Sequence, residues 1–217
     1  VTDSDYGKVW TDLFKPAWEE AGGTVVSSDA LSYNKSADFY SGVSRALAKK
    51  PDVMLIGGPS EPTGLVVKQA RELGYKGGFA LIDQAKLDEV AQVSGGMGTL
   101  EGAVGVLPMM LDEAPAARAF VERFGQTHPD RIVGTEIGMP YIAVHAVADA
   151  MKRAGNSTDA TAIRAQMAEA IADLPEATNL LEYYDVTDAG HALMKGRVAV
   201  VEEGKVKQVN IAEFADS

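Results

Sequence analysis

The first hundred residues alternate between amphipathic stretches that end at glycine and short apolar runs, and this alternation limits the fold more than any other feature. The run 53–56 is apolar at every position, and similar runs follow at 79–82 and 102–107. Runs without a polar alternation are typical of parallel strands that helices cover on both faces. The pattern therefore predicts repeated β-α-β units and an α/β fold with a doubly wound parallel sheet.

The elements of this first part follow from apolar periodicity and from the residues that interrupt it. Three helices are predicted, over 6–21, 38–50 and 63–73. A short strand is predicted over 24–27, after the glycine pair that ends the first helix. The first helix is predicted to kink or break at Pro16. Its inward face is predicted to consist of Val9, Leu13, Ala17 and Trp18.

The pattern changes after the run 102–107. Three helical stretches follow with no obvious strand between them, over 115–127, 140–154 and 159–174. The middle stretch is predicted to be well buried, with His145 as a core histidine on its apolar stripe. The chain ends on the pattern of a β-hairpin, with strands over 197–201 and 206–211. These parts together indicate two structural bodies, with the chain passing between them.

Charge and composition exclude several classes of function. The chain has 20 Lys and Arg against 31 Asp and Glu, a net charge of −11 and a pI near 4.7. Such an acidic surface repels phosphate backbones and anionic lipid, so we expect no nucleic-acid partner and no membrane insertion. The absence of cysteine excludes disulfides, thiolate metal sites and cysteine nucleophiles. The length of 217 residues corresponds to about 1.4 typical domains.

No catalytic constellation is evident in the sequence. The glycine-containing segment 58–64 lacks the Lys-Ser/Thr pair of a phosphate-binding loop, because Leu65 and Val66 follow it. There is no Gly-x-Ser-x-Gly nucleophile elbow, and none of the three histidines has a second ligand at metal-binding spacing. We therefore predict no catalytic residue, no metal site, no cofactor and no enzyme activity. An α/β enzyme with an unrecognised site is the less favoured alternative.

Asp83 follows the apolar run 79–82 and falls where parallel sheets present contacts to a ligand. A carboxylate at this place can pair with a cationic ligand group such as an ammonium. The same residue can equally be the N-cap of the next helix. Ser60 and Thr63 carry a similar ambiguity, since either can cap the helix over 63–73. The residues alone leave these alternatives open.

An ordered set of short motifs runs through the whole chain. It consists of Asp5-Tyr6-Gly7, Ala21-Gly22-Gly23-Thr24-Val25-Val26, Asp38-Phe39, Lys50-Pro51-Asp52-Val53, Gly57-Gly58, the stretch 68–74, Glu101-Gly102, Pro108, the helix 141–155 and the closing hairpin. The set resembles the branched-chain amino-acid type of substrate-binding protein of ABC transporters. The resemblance implies a type I periplasmic binding protein fold, in which two lobes trap a small ligand by hinge closure.

The resemblance also implies a ligand site. Tyr6 matches a tyrosine that often lines the family's site, and Asp83, followed by Gln84, matches the acidic position that holds the ligand ammonium. The loop with Pro59, Ser60 and Glu61 matches a second site loop, where amino-acid binders of the family carry an aromatic residue. Pro59 and Ser60 depart from that pattern, which argues against leucine-like specificity. Small polar, amide or aromatic-acid ligands remain open.

A domain assignment follows from the same resemblance. Residues 1–106 and 197–217 correspond to the second ligand-binding lobe without its first strand, and 107–196 to the later, mostly helical part of the first lobe. The crossings are expected near 106–110 and 190–197. Because family members carry an N-terminal lobe segment before the Tyr6 motif, the fold is expected to be incomplete.

The function that this resemblance implies is solute binding for an ABC importer in the periplasm. The expected partners are a small-molecule ligand and the permease subunits of the transporter, and the complete protein is expected to be a monomer. The signal peptide expected of such a protein is not among these residues. The alternative is a ligand-sensing domain of the same fold in a regulator or receptor.

Overall fold

The structure, a computed structural model, describes residues 1–131 and 133–212. The chain forms two compact units. The first contains Val1–Leu107 and Val198–Val209, and the second contains the described residues of Pro108–Arg197 together with residues 210–212. The last residues of the hairpin segment that the sequence assigns to the second lobe, 213–217, lie outside the described residues.

The helices and strands are numbered here in chain order. The helices are α1 (Asp5–Glu20), α2 (Tyr40–Leu47), α3 (Ser60–Glu72), α4 (Leu87–Ser94), α5 (Pro115–Thr127), α6 (Thr135–Ala154), α7 (Ala160–Ala165) and α8 (Met167–Ala172). The strands are β1 (Val53–Ile56), β2 (Gly78–Leu81), β3 (Ala103–Val106), β4 (Tyr183–Val186), β5 (Ala192–Met194), β6 (Arg197–Glu202) and β7 (Lys205–Asn210). Short 3₁₀ turns at Met97–Leu100 and Met109–Leu111 complete the regular elements.

A mostly parallel sheet organises the first unit. Its strand order is β1-β2-β3-β6-β7, and β1, β2 and β3 run parallel. The strand β6 returns antiparallel to β3, with Val104 opposite Val200. The helix α3 connects β1 to β2 and α4 connects β2 to β3, which confirms the predicted β-α-β units. The strands β6 and β7 are neighbours in the sheet, which confirms the predicted closing hairpin.

The core of the first unit lies between this sheet and the helices. The fully buried side chains include Val66 and Val67 on α3, Phe79 on β2, and Leu87 and Val90 on α4. They belong to one contiguous apolar cluster. Burial of these side chains is the main term that stabilises the unit, at about 1.5–3 kcal/mol for each large one.

The amino-terminal helix packs differently from the prediction. The only buried residue of α1 is Gly7, and a Cβ atom at that position would lie 2.0 Å from the backbone oxygen of Thr2. Val9 and Leu13, predicted to face inward, are 56% and 70% exposed. The helix also continues through Pro16, so the predicted break is absent.

The predicted strand 24–27 is wrong. Residues 23–30 form no strand, although their composition suits one. A strand needs a neighbouring strand to satisfy its N–H and C=O groups. Nothing in the described part of the chain lies beside these residues as a ladder partner.

The second unit is mainly helical, as the sequence predicts, but its helices differ in detail. The strands β4 and β5 form a hairpin that the sequence pattern did not show. The helix α6 begins before the predicted start and passes through Pro140. His145 is exposed rather than in the core, because α6 buries the face of Gly138, Ile142, Ala146 and Ala150. The predicted helix 159–174 is divided at Gln166 into α7 and α8.

A buried ion pair stabilises the second unit. Arg197 Nη2 lies 3.1 Å from Asp112 Oδ2, and the two side chains are only 7% and 4% exposed. Arg197 also donates a hydrogen bond to Glu182. Lys195 and then Arg197 hold the pKa of the Glu182 carboxyl below its usual range by hydrogen bonding to its charged form. Asp112 is further fixed by the backbone N–H of Ala114, at 2.9 Å.

Removing the cation from this pair is expected to destabilise the chain strongly. Arg197→Met leaves the Asp112 carboxylate buried without its partner, and we expect the free energy of unfolding to fall by about 3–5 kcal/mol. Arg118→Met is the matched control, because the Arg118–Glu113 pair is exposed and 3.8 Å long. The control is expected to lose less than about 1 kcal/mol. Urea denaturation measures both, and equal losses would contradict the assignment of the buried pair as stabilising.

Candidate functional site

The candidate site lies at the carboxyl ends of β1 and β2, in the first unit. The two strands are in register, with Ile56 opposite Leu81, and the backbone N–H of Ile82 donates to the Ile56 carbonyl at 3.1 Å. The loops that follow, from Gly57 and from Ile82, therefore emerge side by side. Gly57 permits this approach: its φ is +146°, and a Cβ there would lie 2.4 Å from Ile82 Cγ1.

Tyr6 and Asp83, which are 77 positions apart in sequence, are brought together by the fold. The Tyr6 hydroxyl donates a hydrogen bond to Asp83 Oδ1. The Tyr6 side chain is half-buried and Asp83 is exposed. The contact lies where α1 passes the end of β2, so two predicted site residues share one place on the surface.

Trp10 is a site residue that the sequence reasoning missed. Its indole Nε1 donates to the same oxygen, Asp83 Oδ1, at 3.2 Å. Trp10 follows Tyr6 by four positions, so the two side chains lie one above the other on α1. The spacing of four between Tyr6 and Trp10 could have indicated this pair, but the predicted inward face of α1 did not include either residue.

The hydrogen bonds orient Asp83 and leave part of it available. Both donors, Tyr6 and Trp10, use Oδ1. Within the described residues, Asp83 Oδ2 accepts no hydrogen bond from the protein. Asp83 is also not the N-cap of the next helix, because α4 begins at Leu87 with Lys86 in the cap position. The N-cap alternative is therefore wrong, and the ligand contact stays a prediction.

Ser60 joins the two loops of the candidate site. Its side chain is buried, and its Oγ donates to the Gln84 carbonyl at 3.2 Å and accepts from the Lys86 N–H at 3.1 Å. Ser60 is the first residue of α3 but does not cap it. It clamps the loop 83–86 onto the start of α3, so that it positions Asp83.

The other predicted site residues surround this clamp. Pro59, Glu61 and Gln84 are exposed. In the described part of the chain, no hydrogen bond links the side chain of Glu61 or Gln84 to Asp83. Thr63 is fully buried, and its hydroxyl donates to the Pro59 carbonyl at 2.8 Å. Thr63 therefore holds the first turn of α3, and it offers no free group to a ligand.

The buried side chain of Tyr33 packs against the loop that follows β1. The Tyr33 ring packs against Phe39 with centroids 5.3 Å apart, and a Cβ at Gly58 would lie 2.9 Å from that ring. Burial raises the pKa of the Tyr33 hydroxyl well above its usual range. The hydroxyl therefore stays protonated.

The arrangement of the site is suited to binding a hydrogen-bond donor. An exposed carboxylate with one oriented oxygen and one free oxygen accepts hydrogen bonds from an ammonium or an amide. Among the described residues, no group of three or more His, Asp or Glu side chains is placed to hold a metal ion. No helix within 1–131 and 133–212 combines the length and apolar character needed to cross a bilayer.

Comparison with solved structures identifies the fold. A leucine-binding protein from Thermotoga maritima matches with a TM-score of 0.78 and 23% identity, over 97% of this chain and 59% of that chain. A branched-chain amino-acid ABC transporter protein from Thermus thermophilus with bound valine matches with a TM-score of 0.72 and 18% identity, over 97% and 58%. A substrate-binding protein of a branched-chain amino-acid transporter from Streptococcus pneumoniae, in complex with isoleucine, matches with 0.73 and 19% identity, over 96% and 57%.

The aligned fraction of this chain is much larger than the aligned fraction of the three matched proteins. Almost all of this chain is aligned, but it spans only 57–59% of the length of these three proteins. A search of curated protein sequences gives no match. The sequence pattern of the periplasmic binding protein family matches residues 1–205.

The family match covers nearly the whole chain, and the structural matches share its mostly parallel α/β architecture. The predicted fold class and the predicted family are thereby confirmed. The chain belongs to the periplasmic binding protein family, and it has the type I fold of the branched-chain amino-acid binding proteins that it matches.

Proposed function

We propose that this chain is the ligand-contacting part of a periplasmic solute-binding protein that serves an ABC importer and captures amino acids or closely related amines. The observation that carries the proposal is Asp83, which Tyr6 and Trp10 hold at a strand end while its Oδ2 accepts no hydrogen bond from the described residues. Support comes from the matched solved structures, which include proteins crystallised with valine and with isoleucine.

In the proposed complex, the ligand ammonium donates to Asp83 Oδ2. The hydrogen bonds from Tyr6 and Trp10 fix the carboxylate, so little side-chain freedom is lost when the ligand arrives. A hydrogen bond to a charged group contributes about 1.5–3 kcal/mol. The Trp10 ring adds an aromatic surface beside the ammonium, in a chain whose second site loop carries Pro59 and Ser60 instead of an aromatic residue.

Capture is proposed to follow the two-state closure of the family, in which the ligand stabilises the closed state through its higher affinity for it. The ligand leaves unaltered, since no nucleophile or general acid-base pair belongs to the proposed site. The proposed partners are the permease subunits of the importer. The chain spans about three fifths of its matched structures, so the remaining ligand contacts are proposed to come from the part of the protein outside it.

Removal of the Asp83 charge tests this assignment. Amino acids at millimolar concentration are expected to shift the Trp10 indole N–H signal in NMR spectra, because that group bonds the same carboxylate. Asp83→Asn is expected to abolish the shift, whereas Glu89→Gln, which removes an exposed carboxylate on α4, is expected to retain it. The chain has two tryptophans, so Trp10→Phe assigns the signal.

Two results would overturn this assignment. A full response in Asp83→Asn would exclude Asp83 as the ammonium contact. Absence of any response to the twenty amino acids, in a chain whose folded state is verified by circular dichroism, would contradict the proposed ligand class. A ligand that saturates the site at 100 times its Kd also stabilises the fold by about 2.7 kcal/mol, which thermal denaturation detects independently.

Loss of the Ser60 clamp is expected to weaken both the fold and the ligand response. Ser60→Ala leaves the Gln84 carbonyl and the Lys86 N–H without their partner, and we expect a destabilisation of about 1–3 kcal/mol. The freed loop carries Asp83, so the amino-acid concentration needed for half of the NMR shift is expected to rise. Ser44→Ala, at an exposed position of α2, is the control and is expected to change neither quantity. An unchanged half-saturation in Ser60→Ala would show that the clamp does not position Asp83.

A further inference from the structure

The hydroxyl of Tyr33 is a buried polar group that has no hydrogen-bond partner among the described residues. The Tyr33 side chain is only 6% exposed, so its hydroxyl is also largely removed from solvent. Buried polar groups in folded proteins are nearly always paired, because a buried donor without an acceptor destabilises the fold. An unpaired hydroxyl next to a candidate ligand loop therefore points to a bond that forms in another state of the protein.

Tyr33 lies against the loop that follows β1 and near the first turn of α3. A Cβ atom at Gly58 would lie 2.9 Å from Tyr33 Cδ2, so the backbone of the loop rests directly on the ring. Burial raises the pKa of the Tyr33 hydroxyl, and the Thr63 side chain and the Gly57 backbone partly oppose this shift because they are close to the oxygen. Neither of these neighbours has the geometry of a hydrogen bond with the hydroxyl.

The Thr63 side chain can still accept a hydrogen bond. Thr63 is fully buried, and its hydroxyl donates to the Pro59 carbonyl at 2.8 Å. A hydroxyl has one hydrogen and two lone pairs, so this bond uses only its donor. If Tyr33 donated to Thr63 Oγ1, the two hydroxyls and the Pro59 carbonyl would form one chain of hydrogen bonds, in which each bond strengthens the next.

The turn that carries Thr63 is also tied to the loop that carries Asp83. Ser60, three positions before Thr63, donates to the Gln84 carbonyl and accepts from the Lys86 N–H. The N–H of Thr63 donates to the Pro59 carbonyl at 3.2 Å, which makes Pro59, Ser60 and Thr63 parts of one turn. A ligand that bonds Asp83 therefore acts, through Ser60, on the turn next to the Tyr33 hydroxyl.

We propose that the Tyr33 hydroxyl donates to Thr63 Oγ1 when a ligand is bound at Asp83. This inference rests on the proposed function, because it requires a ligand there. The new bond would hold the first turn of α3, and with it the loop 83–86, in the ligand-bound position. Because the donor gains its acceptor only in the bound state, the bond favours that state. Tyr33 does not touch the ligand and is a positioning residue.

Tyr33→Phe tests this role, because it removes only the hydroxyl. The variant is expected to resist urea at least as well as the wild-type chain, since it loses a buried donor that has no acceptor. The twenty amino acids serve as probes, with the shift of the Trp10 indole N–H signal in NMR spectra as the readout. The concentration for half of the shift is expected to rise about three- to tenfold, which corresponds to one hydrogen bond.

Tyr75→Phe is the matched control and is expected to show the opposite pattern. Tyr75 is 7% exposed, and its hydroxyl donates to the carbonyls of Asp52 and Gly78 at 3.0 and 2.8 Å. Loss of this paired hydroxyl is expected to lower the urea midpoint and to leave the half-saturation concentration unchanged. In the background of Thr63→Val, Tyr33→Phe is expected to have no further effect on half-saturation, because the acceptor is already absent.

Each contrary result has a definite meaning. If the wild-type chain responds to an amino acid and Tyr33→Phe has the same half-saturation, the inference is overturned and the proposed function stands. A urea midpoint that falls as far in Tyr33→Phe as in Tyr75→Phe would also overturn it, because the hydroxyl would then be paired without a ligand. A full effect of Tyr33→Phe in the Thr63→Val background would exclude Thr63 as the acceptor. A wild-type chain that responds to none of the twenty amino acids overturns the proposed function and this inference together.

Discussion

The parallel pairing of β1 with β2 is the interaction on which the rest of the first unit depends. The ladder brings the ends of both strands to one edge, and the bond from Ile82 N–H to the Ile56 carbonyl extends it to the first residue of the loop. Ser60 then ties the second loop to the helix that follows the first. Without this alignment, Asp83 would have no fixed position relative to Tyr6 on α1.

The parts of the fold that the sequence predicted are those in which local pattern and tertiary environment agree. The strand 53–56 and the helix 115–127 occur with the predicted bounds, because each has its own start and stop signals. The segment 24–27 has an equally clear local pattern, but a strand forms only beside another strand. The face of α1 was also missed, since Val9 and Leu13 require a covering surface that the described residues do not supply.

Prediction of the candidate site from the sequence was limited in the same way, because local pattern does not show the tertiary surroundings. Asp83 could be singled out from its place after a strand, and Tyr6 from the family resemblance, because both arguments need only chain order. Excluding Asp83 as the N-cap of the next helix required the start of α4. Trp10 required the rotation of α1 about its axis, which periodicity predicts only when the buried face of a helix is known.

Two aspartates show how the surroundings of a carboxylate decide which of its oxygens can still accept a hydrogen bond. Asp112 is buried, and its oxygens contact the Arg197 guanidinium and the Ala114 N–H. These contacts stabilise the unit. Asp83 is exposed, and its donors are the neutral side chains of Tyr6 and Trp10, which orient only one of its oxygens. Within the described residues, Asp83 Oδ2 can therefore still accept a hydrogen bond. The difference lies in the partners rather than in the residue type, which is why a count of acidic residues in an acidic chain could not have distinguished them.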